Sequence, residues 1–280
     1  MQRKQLFIVG GSILVLLALY FLGDFTSKKV PNKPAQGGET HMAEPGSTVE
    51  AIDFQSYLKE AEQKLTPDNQ SRLSTLKDAS QKDAGVLPLK DLAEFWESQK
   101  DLNAAAFYYK KAAFLENTEK SITFAGNLLL AVMQKTEQPA IRKWQAQEAV
   151  ECFNKALSFN PENPDTKIAL ATCYTEGTGE TMKGVTLLRE VTQKDSNNIS
   201  ANIILGKLAI QSGQLDKAIK RFELVLSLRP DNTEAMYFLA EAYKNKGNKE
   251  KAIALFEQCK KLVNHPEFTK EIDNYIKTFK

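Results

Sequence analysis

The chain has 280 residues, of which 42% are hydrophobic and 26% charged, a balance typical of a globular protein rather than a disordered or fibrous one. Its 37 Lys and Arg residues nearly cancel its 35 Asp and Glu residues, which argues against nucleic acid as a partner. Histidine is limited to His41 and His265, and the three cysteines are widely spaced. This composition leaves little from which to build a metal site, a disulfide framework or a histidine general base.

The first element predicted along the chain is a membrane anchor. Leu6–Gly23 is an uncharged stretch of 18 residues. As a helix it would span about 27 Å, close to the hydrocarbon thickness of a bilayer. Arg3 and Lys4 precede it, and no small-residue cleavage site of a signal peptide follows it. We therefore expect a cytoplasmic tip and transmembrane helix within residues 1–25, with a cleaved signal peptide as the alternative.

Positive charges on both sides of this segment bear on its orientation. Arg3, Lys4 and the terminal amine favour a cytoplasmic N-terminus, which would send the rest of the chain across the membrane. Three lysines nearly balance that preference on the other side, so the reverse orientation stays open; they are Lys28, Lys29 and Lys33. The preferred prediction is a single-pass inner-membrane protein with a periplasmic or otherwise extracytoplasmic C-terminal domain.

Residues 26–48 form the second predicted segment. They contain three prolines and three glycines and almost no large apolar side chain. Such a composition cannot bury enough apolar surface to fold by itself, and it is typical of a flexible linker. We expect this linker to hold the following domain at a variable distance from the bilayer.

A sequence pattern with a period of 34 residues recurs in the rest of the chain. When residues 200–231 are aligned with residues 234–265, small, aromatic and turn residues recur in register. The matched pairs are Leu205 and Leu239, Gly206 and Ala240, Gly213 and Gly247, Ala218 and Ala252, Phe222 and Phe256, and Leu228 and Leu262. Small residues allow two antiparallel helices to cross closely, and the aromatic side chain fills the gap to the next pair.

This pattern resembles the tetratricopeptide repeat. The resemblance implies an all-α fold, a right-handed superhelix of helix-turn-helix repeats, preceded here by the single N-terminal transmembrane helix. Residues 86–266 divide into five such units, at 86–118, 119–163, 164–198, 199–232 and 233–266. Residues 49–85 are predicted to be capping helices or a degenerate repeat, and residues 267–280 a C-terminal capping helix with one apolar face.

Two of the five units depart from the 34-residue period. The second contains about eleven surplus residues around Thr136–Trp144, between its two helices. The third contains one extra residue, which we assign to the turn Gly177–Glu180. Neither departure disturbs the helical pattern on either side of it, so we expect the fold to continue through both.

The resemblance also implies a concave groove lined by the first helix of each repeat, an extended surface that suits a protein or peptide partner. One predicted row in this groove is Lys90, Thr123, Ile168, Ile203 and Tyr237, and a neighbouring row is Glu94, Asn127, Thr172, Lys207 and Glu241, with Glu176, Gln211, Lys244 and Asn245 nearby. The predicted partner-binding residues are Ile168, Thr172, Ile203, Lys207, Tyr237, Glu241 and Lys244. An alternative is that the apolar members of the first row are half-buried and pack against the next unit.

Some tetratricopeptide domains hold a C-terminal carboxylate with lysines and asparagines, but Glu94 and Ile168 stand where this clamp would need polar donors. Cys152, Cys173 and Cys259 lie among core residues, so buried thiols are expected, with a bridge between the first two as the alternative. The sequence therefore predicts no catalytic residue, no metal ligand and no cofactor.

These observations together predict a membrane-tethered scaffold or chaperone-like adaptor that binds a protein or peptide segment in its groove without catalysis. Two alternatives stay open. One is a self-assembling structural protein, a homo-oligomer held by the membrane segment or by the C-terminal helix. The other is a cytosol-facing adaptor of the import-receptor kind. Nucleic acid is not an expected partner, and the membrane is expected to be contacted through Leu6–Gly23.

Overall fold

A computed structural model describes residues 50–279, and within this range the backbone forms only helices and the turns between them. The predicted anchor Leu6–Gly23 and linker 26–48 lie outside the described residues. None of the helices between residues 50 and 279 is both long enough and apolar enough to span a bilayer. The all-α prediction is confirmed for the described part of the chain.

Thirteen α-helices and one π-helix follow one another in this range. They are α1 Phe54–Gln63, α2 Pro67–Lys82, α3 Val86–Ser98, α4 Leu102–Glu116, α5 Glu119–Lys135, α6 Pro139–Phe159, α7 Pro164–Thr172, the π-helix Cys173–Thr178, α8 Thr181–Lys194, α9 Ile199–Gln211, α10 Leu215–Leu228, α11 Thr233–Asn245, α12 Lys249–Val263 and α13 Pro266–Lys277. The most extensive packing joins consecutive helices in pairs, α3 with α4, α5 with α6, α9 with α10 and α11 with α12. The boundaries of the five repeats and of the caps at both ends stay a prediction.

Asparagine side chains start three successive first helices at the same place in the repeat. The Oδ1 atoms of Asn163, Asn198 and Asn232 accept hydrogen bonds from backbone amides three residues later, at 3.1, 3.0 and 2.8 Å. Each bond satisfies an amide that has no partner within its own helix. The asparagine side chain therefore fixes the start of α7, α9 and α11, at a position that the matched residues of the repeat do not include.

A left-handed backbone residue follows the first helix of four helix pairs. Gly179, Gly213 and Gly247 occupy this position with φ of 80°, 72° and 84°. In the first pair the residue is Lys100, with φ of 63°. Because a side chain in this conformation meets the following carbonyl oxygen, glycine is favoured here and lysine carries a local backbone strain.

The surplus residues of the second unit turn out to be largely helical. They lengthen α5 to Lys135 and begin α6 at Pro139, so that a turn of three residues separates the two helices. The extended hairpin buries Ile141 and Trp144, which are 9% and 6% exposed. A segment that the sequence suggested only as an insertion therefore contributes to the core.

The extra residue of the third unit lies earlier than the sequence suggested. It is accommodated in the π-helix Cys173–Thr178 and not only in the predicted turn Gly177–Glu180. A π-helix closes each hydrogen bond over one more residue than an α-helix, so it absorbs a single insertion without ending the helix. Arg142 of the extended hairpin donates from Nε to the backbone oxygen of Glu176 at 3.2 Å, so the two departures from the period contact each other.

The N-terminal helix α1 packs on the same hairpin through an aromatic contact and a polar chain. Phe54 is 6% exposed and stacks on Trp144. The Tyr57 hydroxyl donates to Asp101 at 3.0 Å and accepts from the Nδ2 atom of Asn103 at 3.1 Å. Asn103 in turn accepts from the Nε2 atom of the fully buried Gln145 at 2.6 Å. Apolar burial and directed hydrogen bonds thus fix α1 in one position.

At the other end, α13 packs on α12. Its apolar face is buried through Phe268, Ile272 and Ile276, which are 3–4% exposed. Tyr275 contacts the ring of Phe256 at 5.6 Å between centroids. The helix therefore covers a core aromatic that would otherwise face solvent.

Candidate partner-binding surface

The predicted surface is carried by the first helix of each pair, and these helices also pack on one another. Contacts join α5 to α7, α7 to α9 and α9 to α11. Between α3 and α5 the direct packing is weaker, and α4 lies against both. The first helices therefore contact one another along most of their row, and α3 and α5 contact each other least.

Two of the predicted partner-binding residues are buried. Ile203 is 6% exposed and belongs to a core cluster with Phe222 and Leu239. Thr172 is 7% exposed, and its hydroxyl donates to the backbone oxygen of Ile168 at 3.0 Å. Ile168 itself is half-buried against the core of the next pair. A partner would therefore meet little of Ile203 or Thr172, and the burial of Ile203 is what the packing alternative for the first row predicts.

Tyr237 and Lys207 lie closer to the surface, but each is held by neighbouring side chains. The ring of Tyr237 makes edge contacts with Phe238 and Phe256, both at 5.4 Å between centroids. The Nζ atom of Lys207 lies 3.6 Å from a carboxylate oxygen of Glu234 and 5.1 Å from the ring centre of Phe238. A partner would meet two side chains with defined positions, so less conformational entropy would be lost on binding.

Glu241 and Lys244 form the third part of the predicted surface. Their carboxylate and ammonium groups are 3.1 Å apart, and their side chains are 16% and 23% exposed. Lys244 also bonds to the hydroxyl of Tyr275 and lies 4.3 Å from that ring's centre, so α13 covers it. Burial raises the pKa of the Glu241 carboxyl against the lowering effect of Lys244, and its Oε1 atom has no partner among residues 50–279.

The structure brings Tyr237, Glu241 and Lys244 together around Phe256 and α13, while Lys207 lies on the neighbouring helix. It does not place Ile203 and Thr172 on an open surface. Whether these residues contact a partner stays a prediction.

The two predicted rows do not include an exposed aromatic residue on α5, near α3. Phe124 is 55% exposed and makes an edge contact with Tyr109, at 5.6 Å between ring centroids. Phe124 stands next to Thr123, one of the predicted row residues, so the helical spacing placed the row one position away from it. Its exposure is what distinguishes it from a core aromatic, and the sequence spacing gives no sign of that exposure.

The three cysteines are free and buried in this structure. Burial raises the pKa of the Cys152 and Cys173 thiols to about 12 and that of Cys259 to about 11. A thiol held protonated in this way is a poor nucleophile and a poor metal ligand. Between residues 50 and 279, no three His, Cys, Asp or Glu side chains gather in an arrangement that could hold a metal ion.

Comparison with known proteins agrees with this architecture. A family model described as tetratricopeptide repeat matches residues 209–265. A curated relative, the BBSome complex member BBS4 of Xenopus tropicalis, is 31% identical over 90 residues, which are 31% of this chain and 17% of that protein. The matched part thus spans about a sixth of the length of that relative.

Two solved structures share the fold at low identity. One is PilW, described as a widely conserved type IV pilus biogenesis factor, with a TM-score of 0.50 and 16% identity over 78% of this chain and 94% of that one. The other is MamA (41-end) from Desulfovibrio magneticus RS-1, with a TM-score of 0.50 and 17% identity over 64% of this chain and 95% of that one. The helix pairs, the repeat spacing and the match over residues 209–265 together identify tetratricopeptide repeats in the part of the chain that the structure describes.

Proposed function

We propose that this protein is a scaffold or chaperone-like adaptor that is tethered to a membrane by Leu6–Gly23 and binds a protein partner along its row of first helices. The tetratricopeptide fold is used for protein–protein interaction, and a row of stacked helices offers an extended surface rather than an enclosed cavity. The observation that carries the proposal is the cluster of fixed but partly accessible side chains, Lys207, Tyr237, Glu241 and Lys244.

This cluster combines features that protein interfaces favour. Tyr237 presents an amphipathic aromatic ring, and its position is held by Phe238 and Phe256. Lys207 and Lys244 each lie beside a carboxylate, so the surface carries paired charges that could orient a partner. No catalytic step forms part of the proposal.

Photo-crosslinking in the native membrane tests the binding surface. A crosslinking amino acid would replace Lys207 in one version of the full chain and the exposed Lys217, on the second helix of the same pair, in another. We expect one dominant adduct from position 207 and none of the same mass from position 217. The adduct should weaken when Tyr237→Ala is added. Equal adducts from both positions would contradict the proposal.

Protease protection tests the tether and its orientation. We expect the undigested chain to sediment with the membrane fraction, and the C-terminal domain to be digested by added protease in spheroplasts but not in intact cells. Digestion only from the cytosolic side would instead support the import-receptor alternative. Sedimentation of the detergent-solubilised chain separates a monomer from the self-assembling alternative.

A further inference from the structure

A groove lies between α3 and α5, at the N-terminal end of the row of first helices. Its floor is Tyr109 of α4, because this residue reaches both walls. The ring of Tyr109 contacts Phe124 on α5, and its hydroxyl donates to the Oε2 atom of Glu97 on α3 at 3.0 Å. Tyr109 therefore spans the place where α3 and α5 pack only weakly on each other.

One wall of this groove presents an aromatic face. Phe124 is 55% exposed, whereas the other phenylalanines that contact aromatic rings in the first two helix pairs are buried or half-buried. The edge contact with Tyr109, at an interplanar angle of 88°, fixes the orientation of the ring. A rigid exposed ring of this kind attracts apolar groups and cations alike.

The opposite wall is acidic. Glu97 and Glu94 lie one helical turn apart on α3, and both are exposed. Within residues 50–279, no ion pair neutralises either carboxylate. Burial raises the pKa of Tyr109 to about 12, with further contributions from the hydrogen bond to Glu97 and from the negative charges of Glu97 and Glu94. The carboxylates of Glu94 and Glu97 therefore place two negative charges beside Tyr109.

Leu128, one helical turn beyond Phe124 on α5, lines a neighbouring cleft of about 470 Å³ with polar and apolar walls. Leu102, Leu128 and Val132 line this cleft, and its charged lining residues are Lys100, Asp101 and Lys135. Leu102 precedes Tyr109 by seven residues on α4, which corresponds to about 10 Å along the helix. The carboxylates of Glu94 and Glu97 thus lie at the aromatic end, and the cleft carries side chains of both charges.

We propose that this groove, defined by Glu94, Glu97, Tyr109, Phe124, Leu102 and Leu128, binds a peptide segment of a partner protein that carries a Lys or Arg side chain near a large apolar side chain. The proposal rests on the proposed scaffold function and names a second contact surface together with its partner class. The basic side chain lies over Phe124 and between the carboxylates, where the ring and both charges attract a cation.

The apolar side chain of the same segment enters the cleft beside Leu102 and Leu128. An extended chain covers about 3.3 Å per residue, so the two side chains would be about three residues apart. An acidic segment would meet repulsion at Glu94 and Glu97.

A displayed library of random nine-residue peptides, selected against the full chain in detergent and counter-selected against detergent alone, tests this assignment. The selected peptides are then measured by fluorescence anisotropy with three variants: Phe124→Ala, Glu94→Gln combined with Glu97→Gln, and Glu267→Gln combined with Glu271→Gln on the exposed face of α13 as a matched control. Circular dichroism checks that all variants keep the helical fold.

We expect enrichment of Lys or Arg two to four positions from a large apolar residue. Binding should weaken about tenfold or more in the two groove variants, stay unchanged in the α13 control, and weaken as salt is raised from about 50 to 300 mM, because solvent-exposed charges are screened. Enrichment of acidic or uncharged peptides, or equal binding by all variants, would overturn the inference.

The outcome also separates this inference from the scaffold function. Peptides that bind but respond to Tyr237→Ala and Lys207→Ala instead of the groove variants would leave the scaffold function in place and remove the groove. A library that yields no binding peptide, together with an absent crosslink from position 207, would remove both.

Discussion

The indole of Trp144 stacks face to face on the ring of Phe54, with centroids 3.8 Å apart and planes inclined by 3°. The two residues are 90 positions apart in the sequence, and they join α1 to the extended start of α6. The contact gives the surplus residues of the second repeat a structural role. They provide the surface on which α1 is buried.

Removing this stack should destabilise the domain. Phe54→Ala deletes a ring that is 6% exposed and leaves a cavity between α1 and α6, so we expect a loss of about 3–5 kcal/mol in the free energy of unfolding. Phe159→Ala removes a phenylalanine that is 43% exposed and should cost less than about 1 kcal/mol. Urea unfolding of both variants makes the comparison, and equal losses would contradict this account of α1.

Gly177→Ala should be destabilising for a steric reason. A Cβ atom at position 177 would stand 2.2 Å from the Cβ of Ala146 and 2.7 Å from the Sδ of Met133. Such overpacking costs about 1–3 kcal/mol. Ala146→Gly in the same chain should recover part of the loss, because it removes the nearest atom. A double-mutant cycle by urea unfolding measures this coupling, and a coupling near zero would argue against direct packing of the π-helix on α6.

Lys100→Gly should stabilise the protein by about 0.5–1 kcal/mol. The left-handed backbone at Lys100 costs more for lysine than for glycine, and the greater freedom of glycine in the unfolded chain offsets part of the gain. Gly213→Ala provides the reverse case, because no atom lies within 4 Å of the added Cβ and only the backbone strain remains. Thermal unfolding of the two variants should therefore shift in opposite directions.

Glu241 should make stability depend on pH. Its pKa is raised above the usual 4.5 by burial, so the folded state binds this proton more tightly than the unfolded state does. Stability contributed by the group is therefore complete below pH 4.5 and is lost as the pH rises through the raised value. We expect Glu241→Gln to be more stable than the native chain at neutral pH, with the advantage disappearing toward pH 4. Urea unfolding of both proteins between pH 4 and 7 measures the difference, and an advantage of Glu241→Gln that is the same at every pH would contradict this account.

The three thiols should be unreactive in the folded protein. Cys152, Cys173 and Cys259 are buried, and their raised pKa values leave little thiolate at pH 8. Ellman's reagent should titrate none of them within minutes under native conditions and all three in guanidinium. Rapid reaction of one thiol in the native state would show that its helix opens locally.

The sequence by itself determined the repeat and the helix pairs that follow from it. The matched positions from Leu205 to Leu262 recur because each unit must place small residues where its helices cross and an aromatic where the next unit begins, and both requirements act over a short stretch of chain. Phe222 and Phe256 are fully buried, as that pattern requires. The glycines at 213 and 247 end their helices for an equally local reason, the positive φ of the turn.

Only the tertiary structure decided which residues of the first helices remain accessible. Ile203 has the same spacing as Tyr237, yet it is buried, because exposure depends on the distance between neighbouring helices and not on position within one helix. Phe124 stays 55% exposed on α5, the first helix that makes few direct contacts with α3. The contact between Arg142 and Glu176 joins two irregular segments that the period could only mark as extra residues, since no local rule relates one insertion to another.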